Sequence, residues 1–277
     1  MNAASLQYRF GVSQQFAKRV AERAKELGAM GVAIDSVNQV YYYDKKLGSG
    51  SFGATYSARL DDAQAVGFVI KEFLDRTADD NEKKIPKQPE PPSPRGPLRF
   101  LMRILPTDEK PELPRDQYMF TKKDVEREFA VTNYVRRQLG EPFCAEYAIC
   151  ALNHFYDAIG ETGFIVFPYA PNSVNLSEYV VKTLHPMLRA ALAGNGSLTQ
   201  VYTIAYDIVC RIAYAIARLH DIGVIHQDIK PDNMLVVDDR VKLIVFGIAC
   251  ITDAKEAFTS CNPAYMTTLI FEDPLAQ

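Results

Sequence analysis

Apolar residues change their spacing several times along this chain, and each change marks a different kind of element. Phe16, Val20, Ala24 and Leu27 recur at helical intervals behind Ser13, which can cap a helix, and before Gly28, which can end one. The first 38 residues therefore read as a helix with a tail. The period then shortens. VYYYDKKLG, ATYSARL and VGFVIKEFL are rich in aromatic and β-branched residues and separated by turn sequence, which predicts an antiparallel meander. A helix is expected from about Lys122 to Leu139, opened by the capping pattern Thr121-x-x-Asp124. ICALNHFYDAI and GFIVFPYA read as two more strands. Ser197 then caps the strongest helical pattern, in which Val201, Ile204, Ala205, Ile208, Ile212, Ala215, Ile216 and Leu219 step by three and four before Gly223.

One stretch fits neither period. Nine of the sixteen prolines fall between Pro86 and Pro114. Proline removes a backbone donor and restricts its neighbour, so residues 77–118 read as a long insertion rather than a core element. The order is thus small sheet, helix, two strands, then a mainly helical half. That is an α+β fold in two lobes, with a cleft expected near Pro168 to Asn175. The expected divisions are a helical extension at 1–38, a sheet lobe at 39–170 carrying the insertion, and a helical lobe at 171–277.

A net charge of -3 gives no reason to expect nucleic acid or an anionic membrane as the main partner. No apolar run is long enough to predict a membrane span, and the N-terminus lacks the basic-then-apolar order of a secretory signal. Cys144, Cys150, Cys210, Cys250 and Cys261 show no C-x-x-C spacing, which predicts reduced thiols. The expected location is a reducing intracellular compartment, cytoplasmic by default.

The candidate chemistry begins with LGSGSFGATY. Gly48, Gly50 and Gly53 lie between two strand candidates, where backbone N–H groups can approach phosphates closely. Lys71 lies on an apolar strand beside Val69, Ile70 and Phe73, so it needs an anionic partner, for which Glu128 and Glu126 are both in range. The densest signal is His226-Gln-Asp228-Ile-Lys230-Pro-Asp-Asn233, between the long amphipathic helix and a strand.

Those three motifs, in that order, resemble a eukaryotic-type serine/threonine protein kinase from about Val40 to Pro274. The resemblance implies a bilobal fold, with residues 39–170 as N-lobe and 171–277 as a partial C-lobe. It also implies ATP and Mg2+ as cofactors and a protein hydroxyl as phosphate acceptor. On that pattern Gly48, Gly50 and Gly53 cover the phosphates, and Lys71 holds the α- and β-phosphates and is held by Glu128. Asp228 receives or orients the hydroxyl proton, Lys230 steadies the transferring phosphate, and Asn233 ligates magnesium. Phe167 stands at the rear of the adenine pocket, and Pro168, Tyr169 and Ala170 form the hinge. Leu47, Val69 and Leu235 sandwich the base. Thr55 and Val69 replace a usual valine and alanine, and the larger Val69 narrows the slot.

Three departures matter. Val245 precedes Phe246-Gly247 where the family has a magnesium-binding aspartate, and its side chain has no oxygen to offer a hard cation. Gln227 replaces an arginine that normally reads a phosphate on the activation segment. The Ala-Pro-Glu that closes that segment is absent after GIACITDAKEAF, which is the expectation for a fragment. The alternative reading is a pseudokinase, a nucleotide-binding or scaffolding module. A weaker resemblance, from Asn262-Pro263 and Asp273-Pro274, is to chloroplast state-transition kinases, which would place the chain in a chloroplast. The proline-rich insertion could dock an aromatic-lined recognition domain.

Overall fold

The computed structural model describes residues 2–50, 53–61, 65–73, 122–159 and 162–252. The proline-rich insertion, Thr121 and everything after Thr252 lie outside them.

The first 38 residues hold more than one helix. Helix α1 (Ala3–Phe10) is capped by Asn2 and ends at Gly11, and α2 (Gln14–Glu26) is capped by Ser13, whose hydroxyl accepts from the Phe16 N–H. Strand β1 (Gly31–Ile34) then pairs antiparallel with β2 (Val40–Gly50). Ala17, Val20 and Ala24 of α2 pack on Val32, Ile34, Val40 and Tyr42, a core that holds the extension on the sheet.

The meander follows with β3 (Gly53–Arg59) and β4 (Phe68–Phe73), and β5 (Asn153–Tyr156) and β6 (Gly163–Pro168) complete one sheet in the order β1-β2-β3-β4-β6-β5. Strand alternation puts Ile70 and Glu72 on one face and Val69, Lys71 and Phe73 on the other. The Ile70 face forms a core with Tyr41, Tyr43, Phe155, Phe164 and Val166, to which Phe10 of α1 adds its ring.

Helix α3 (Lys122–Glu146) is broken at Gly140, which has φ 80°, next to Pro142. The unbroken helix thus ends at Leu139, as its sequence predicts. The chain then turns, and Ala148 bridges Leu243 while the Ile149 N–H donates to the Leu243 carbonyl. This return corrects the expectation of reduced thiols. It brings Cys144 and Cys150 to a Cα separation of 5.6 Å, and they are joined by a disulfide. A pair six residues apart escapes a search for C-x-x-C, because a helix end and a turn make the approach. Cys250 is also disulfide-bonded, whereas Cys210 is free and exposed. The cysteines therefore give no argument for a reducing compartment.

After β6 come β7 (Val174–Asn175), the short α4 (Leu176–Tyr179), a wide π-helical turn over Val180–Leu184 and α5 (His185–Leu192). Helix α6 (Leu198–Asp221) buries Val201, Ile208, Ala215 and Leu219 and leaves Tyr202, Tyr206 and Val209 exposed. Two small sheets close the region. One has β9 (Met234–Val237) between β10 (Arg240–Leu243) and β7, and the other pairs β8 (Val224–Ile225) with β11 (Cys250–Ile251). Among the described residues no helix is long and apolar enough to cross a membrane.

Candidate active site

The glycine-rich turn is held by backbone on both sides. Gly50 pairs with Gly53 and Gly48 with Thr55, whose hydroxyl donates to the Gly48 carbonyl at 3.3 Å. Gly53 has φ 147°, and a Cβ there would lie 2.0 Å from the Glu72 carbonyl oxygen, so no other residue fits without moving β4. Ser51 and Phe52 lie outside the described residues. Leu47 is 45% exposed at an irregularity in the β2–β3 register.

Lys71 pairs across the ladder with Thr55 on one side and Ile165 on the other. Its ammonium lies 2.5 Å from Glu128 Oε2, which decides between the two glutamates left open by spacing. Glu128 is 1% exposed on α3, so this pair is nearly dry, and the Lys71 ammonium also lies 4.8 Å above the Phe73 ring. Glu128 Oε1 is buried without a hydrogen-bond partner among the described residues.

Strand β6 ends at Pro168, and Tyr169 and Ala170 follow it. Phe167 is buried and stands opposite Val69. The Tyr169 N–H donates to the Gly67 carbonyl at 3.1 Å, and Pro168 has no N–H to donate. Leu235 on β9 stands opposite Asn175.

The loop after α6 gathers the remaining polar residues around one carboxylate. Asp228 Oδ2 accepts from Lys230 Nζ at 2.8 Å and from Asn233 Nδ2 at 2.5 Å, and Asn233 Nδ2 also reaches the Asp228 carbonyl at 2.9 Å. Asp228 Oδ1 and Asn233 Oδ1 are left for other partners. Two residues that sequence reasoning missed anchor this loop. Asn175 Nδ2 donates to the Asp232 carbonyl at 2.7 Å, and Ser177 Oγ donates to Asp232 Oδ1 at 2.7 Å. The N-capping asparagine before a short helix was the only available signal.

His226 is 3% exposed. Its Nε2 lies 3.2 Å from the Ile244 carbonyl, its Nδ1 accepts from the Asp228 N–H at 3.3 Å, and its ring packs on Phe246 at 4.9 Å. That pattern requires a neutral ring carrying its proton on Nε2, a structural part rather than a base. Burial holds its pKa below the ordinary 6.5. The folded state therefore takes up this proton less readily than the unfolded chain, so the stability present above about pH 6.5 is lost as pH falls. Burial lowers the pKa of His154 too, so the informative quantity is a difference. Thermal denaturation across about pH 5 to 7.5 should show His226→Asn falling less steeply toward acid than the parent. Parallel curves would contradict the neutral-ring assignment.

The segment Ile244–Gly247 joins the two clusters. The Ile244 N–H donates to the Asn233 carbonyl at 2.9 Å, and a Cβ on Gly247 would lie 3.2 Å from Glu128 Oε2. Between them Val245 has φ 62°, a left-handed conformation that a β-branched residue adopts only at a cost of about 1–3 kcal/mol. Gln227 also has a positive φ of 63°, and its amide nitrogen is buried without a partner among the described residues.

The protein kinase domain family matches residues 149–271. Among curated proteins, the chain is 38% identical over 76 residues to calcium/calmodulin-dependent protein kinase cmkB of Emericella nidulans, covering 24% of this chain and 19% of that protein. It is 32% identical over 111 residues to mitogen-activated protein kinase spm1 of Schizosaccharomyces pombe, covering 38% and 24%. It is 31% identical over 120 residues to ribosomal protein S6 kinase alpha-4 of Mus musculus, covering 39% and 16%. The chain spans less than two thirds of the length of each of these relatives. The chloroplast resemblance gains nothing from them, and the dipeptides that suggested it lie outside the described residues. The antiparallel sheet, the buried Lys71–Glu128 pair and the loop closed around Asp228 accompany that match, and the chain is similar over residues 149–271 to protein kinase domains and, among curated proteins, to serine/threonine kinases.

Proposed function

We propose that this chain binds ATP in the cleft below its glycine-rich turn and transfers the γ-phosphate to serine or threonine hydroxyls of a protein, at a rate limited by Val245. The observation that carries the reading is the pairing of two clusters, Lys71 with Glu128 and Asp228 with Lys230 and Asn233. Phosphoryl transfer asks for positioning and charge neutralisation more than covalent chemistry, and these residues supply both.

Lys71, oriented by Glu128, presents an ammonium to phosphate oxygens. The turn of Gly48, Gly50 and Gly53 offers backbone N–H groups. Lys230 holds Asp228 Oδ2, so Oδ1 is the oxygen that takes the hydrogen bond of an incoming hydroxyl. Magnesium, when bound, supplies charge neutralisation at the phosphates. Asn233 Oδ1 fits it as a ligand, whereas Val245 supplies none. Among the described residues no cluster of three His, Cys, Asp or Glu side chains could hold a metal by itself, so the cation would depend on Asn233, water and the nucleotide.

Val245 also supports a second reading, a pseudokinase that binds nucleotide and acts through contacts. Two measurements separate the readings. ATP should raise the melting temperature of the full chain with or without magnesium, the metal adding little because one side-chain ligand remains. Labelled ATP should then deposit phosphate at a rate above that of Asp228→Asn. Stabilisation without such a difference leaves the pseudokinase; no stabilisation removes both.

A further inference from the structure

The N-terminal extension reaches the nucleotide site from behind. Arg9, the penultimate residue of α1, crosses to the sheet and places Nη2 2.5 Å from Glu72 Oε1 and Nε 3.6 Å from Asp157 Oδ2. Its guanidinium lies 5.2 Å from the Phe10 ring centroid and 5.4 Å from that of Phe164. The Arg9 carbonyl accepts from the Ala158 N–H at 2.8 Å, so backbone and side chain both hold this end of the helix. Both carboxylates are buried, with side-chain exposures of 8% for Glu72 and 1% for Asp157. Groups that dry ionise comfortably only beside a cation.

Glu72 is where the site's two phosphate-facing elements meet. It follows Lys71 on β4 and stands opposite Ala54 on β3. Its carbonyl is the atom against which Gly53 is packed. A shift of β4 at this residue would move the Lys71 ammonium and the end of the glycine-rich turn together. Tyr43, buried on the same face, has its hydroxyl unpartnered among the described residues and offers no substitute grip.

We propose that Arg9 is a positioning residue for the nucleotide site, acting through Glu72 to hold β4 where it carries Lys71 and supports Gly53. This rests on the cleft reading given above. The extension is then a working part of the domain, and anything that displaces α1 from the sheet weakens nucleotide binding without touching the cleft.

The test uses the full chain with Arg9→Met, which keeps length and loses charge, and Arg9→Lys, which keeps charge. ADP affinity is measured by titration calorimetry, and amide hydrogen exchange is followed at Gly53–Ala54, at Lys71–Phe73 and in the interior of α6. Arg9→Met should weaken ADP binding about tenfold and Arg9→Lys less than about threefold. Exchange at the β3 and β4 amides should accelerate in Arg9→Met while α6 keeps its protection. Exchange that is unchanged, or that rises equally in α6, overturns the proposal, as does loosening of β4 with unaltered ADP affinity. If Arg9→Met fails to fold, Glu72→Gln breaks the same contact and must give the same local pattern. A parent that does not bind ADP refutes the cleft reading instead, and the exchange pattern still decides whether Arg9 staples β4.

Discussion

An aspartate at position 245 is expected to raise magnesium-dependent phosphoryl transfer by at least about a hundredfold. An ionic ligand where charge develops is worth several kcal/mol in the transition state, and each ~1.4 kcal/mol is a factor of ten. The structure adds a reason to expect that the substitution is accommodated. Val245 already has the left-handed φ of 62°, which short polar residues tolerate and β-branched ones resist. Val245→Gly separates the two effects, since it relieves the backbone and supplies no ligand. It should gain about 1 kcal/mol in urea denaturation and leave the rate where it was. Equal rates for parent and Val245→Asp would show that phosphate charge is neutralised without that ligand.

The second large effect concerns the dry ion pair. Lys71→Met leaves Glu128, 1% exposed, as a buried charge without its cation. Breaking such a pair from one side costs about 3–5 kcal/mol, whereas replacing both members by apolar residues is often close to neutral. Lys71→Met should therefore lower the urea midpoint strongly, and Lys71→Met with Glu128→Met should recover most of the loss. Neither variant should bind ATP, so stability and binding part company in the double variant. A single variant within about 0.5 kcal/mol of the parent would mean that water reaches Glu128 and that the pair is not dry.

Much of this was legible in the chain before any coordinates. The three central strands and the helices after Ser13 and Ser197 follow from period and capping, because their faces are long enough to register. The polar cluster around Asp228 was legible because its members lie within eight consecutive residues. What escaped depends on contacts between distant parts. Strand β1 spans only Gly31–Ile34 and is a strand by virtue of β2. Helix α1 owes its place to Phe164 and Ala158, far along the chain. The region from Val180 to Leu192 mixes β-branched residues with His185-Pro186, which argues against a regular helix, and the structure answers with a π-turn before α5. The Cys144–Cys150 disulfide needed the break at Gly140 and the return to Leu243.

The left-handed backbone at Val245 bears on how freely its side chain can be exchanged. A φ of 62° suits aspartate better than valine, so an acidic side chain placed here would meet a main chain already shaped for it. The exchange asks for no rearrangement of the turn between Ile244 and Gly247, and the position is one at which chemistry can be altered without rebuilding the loop.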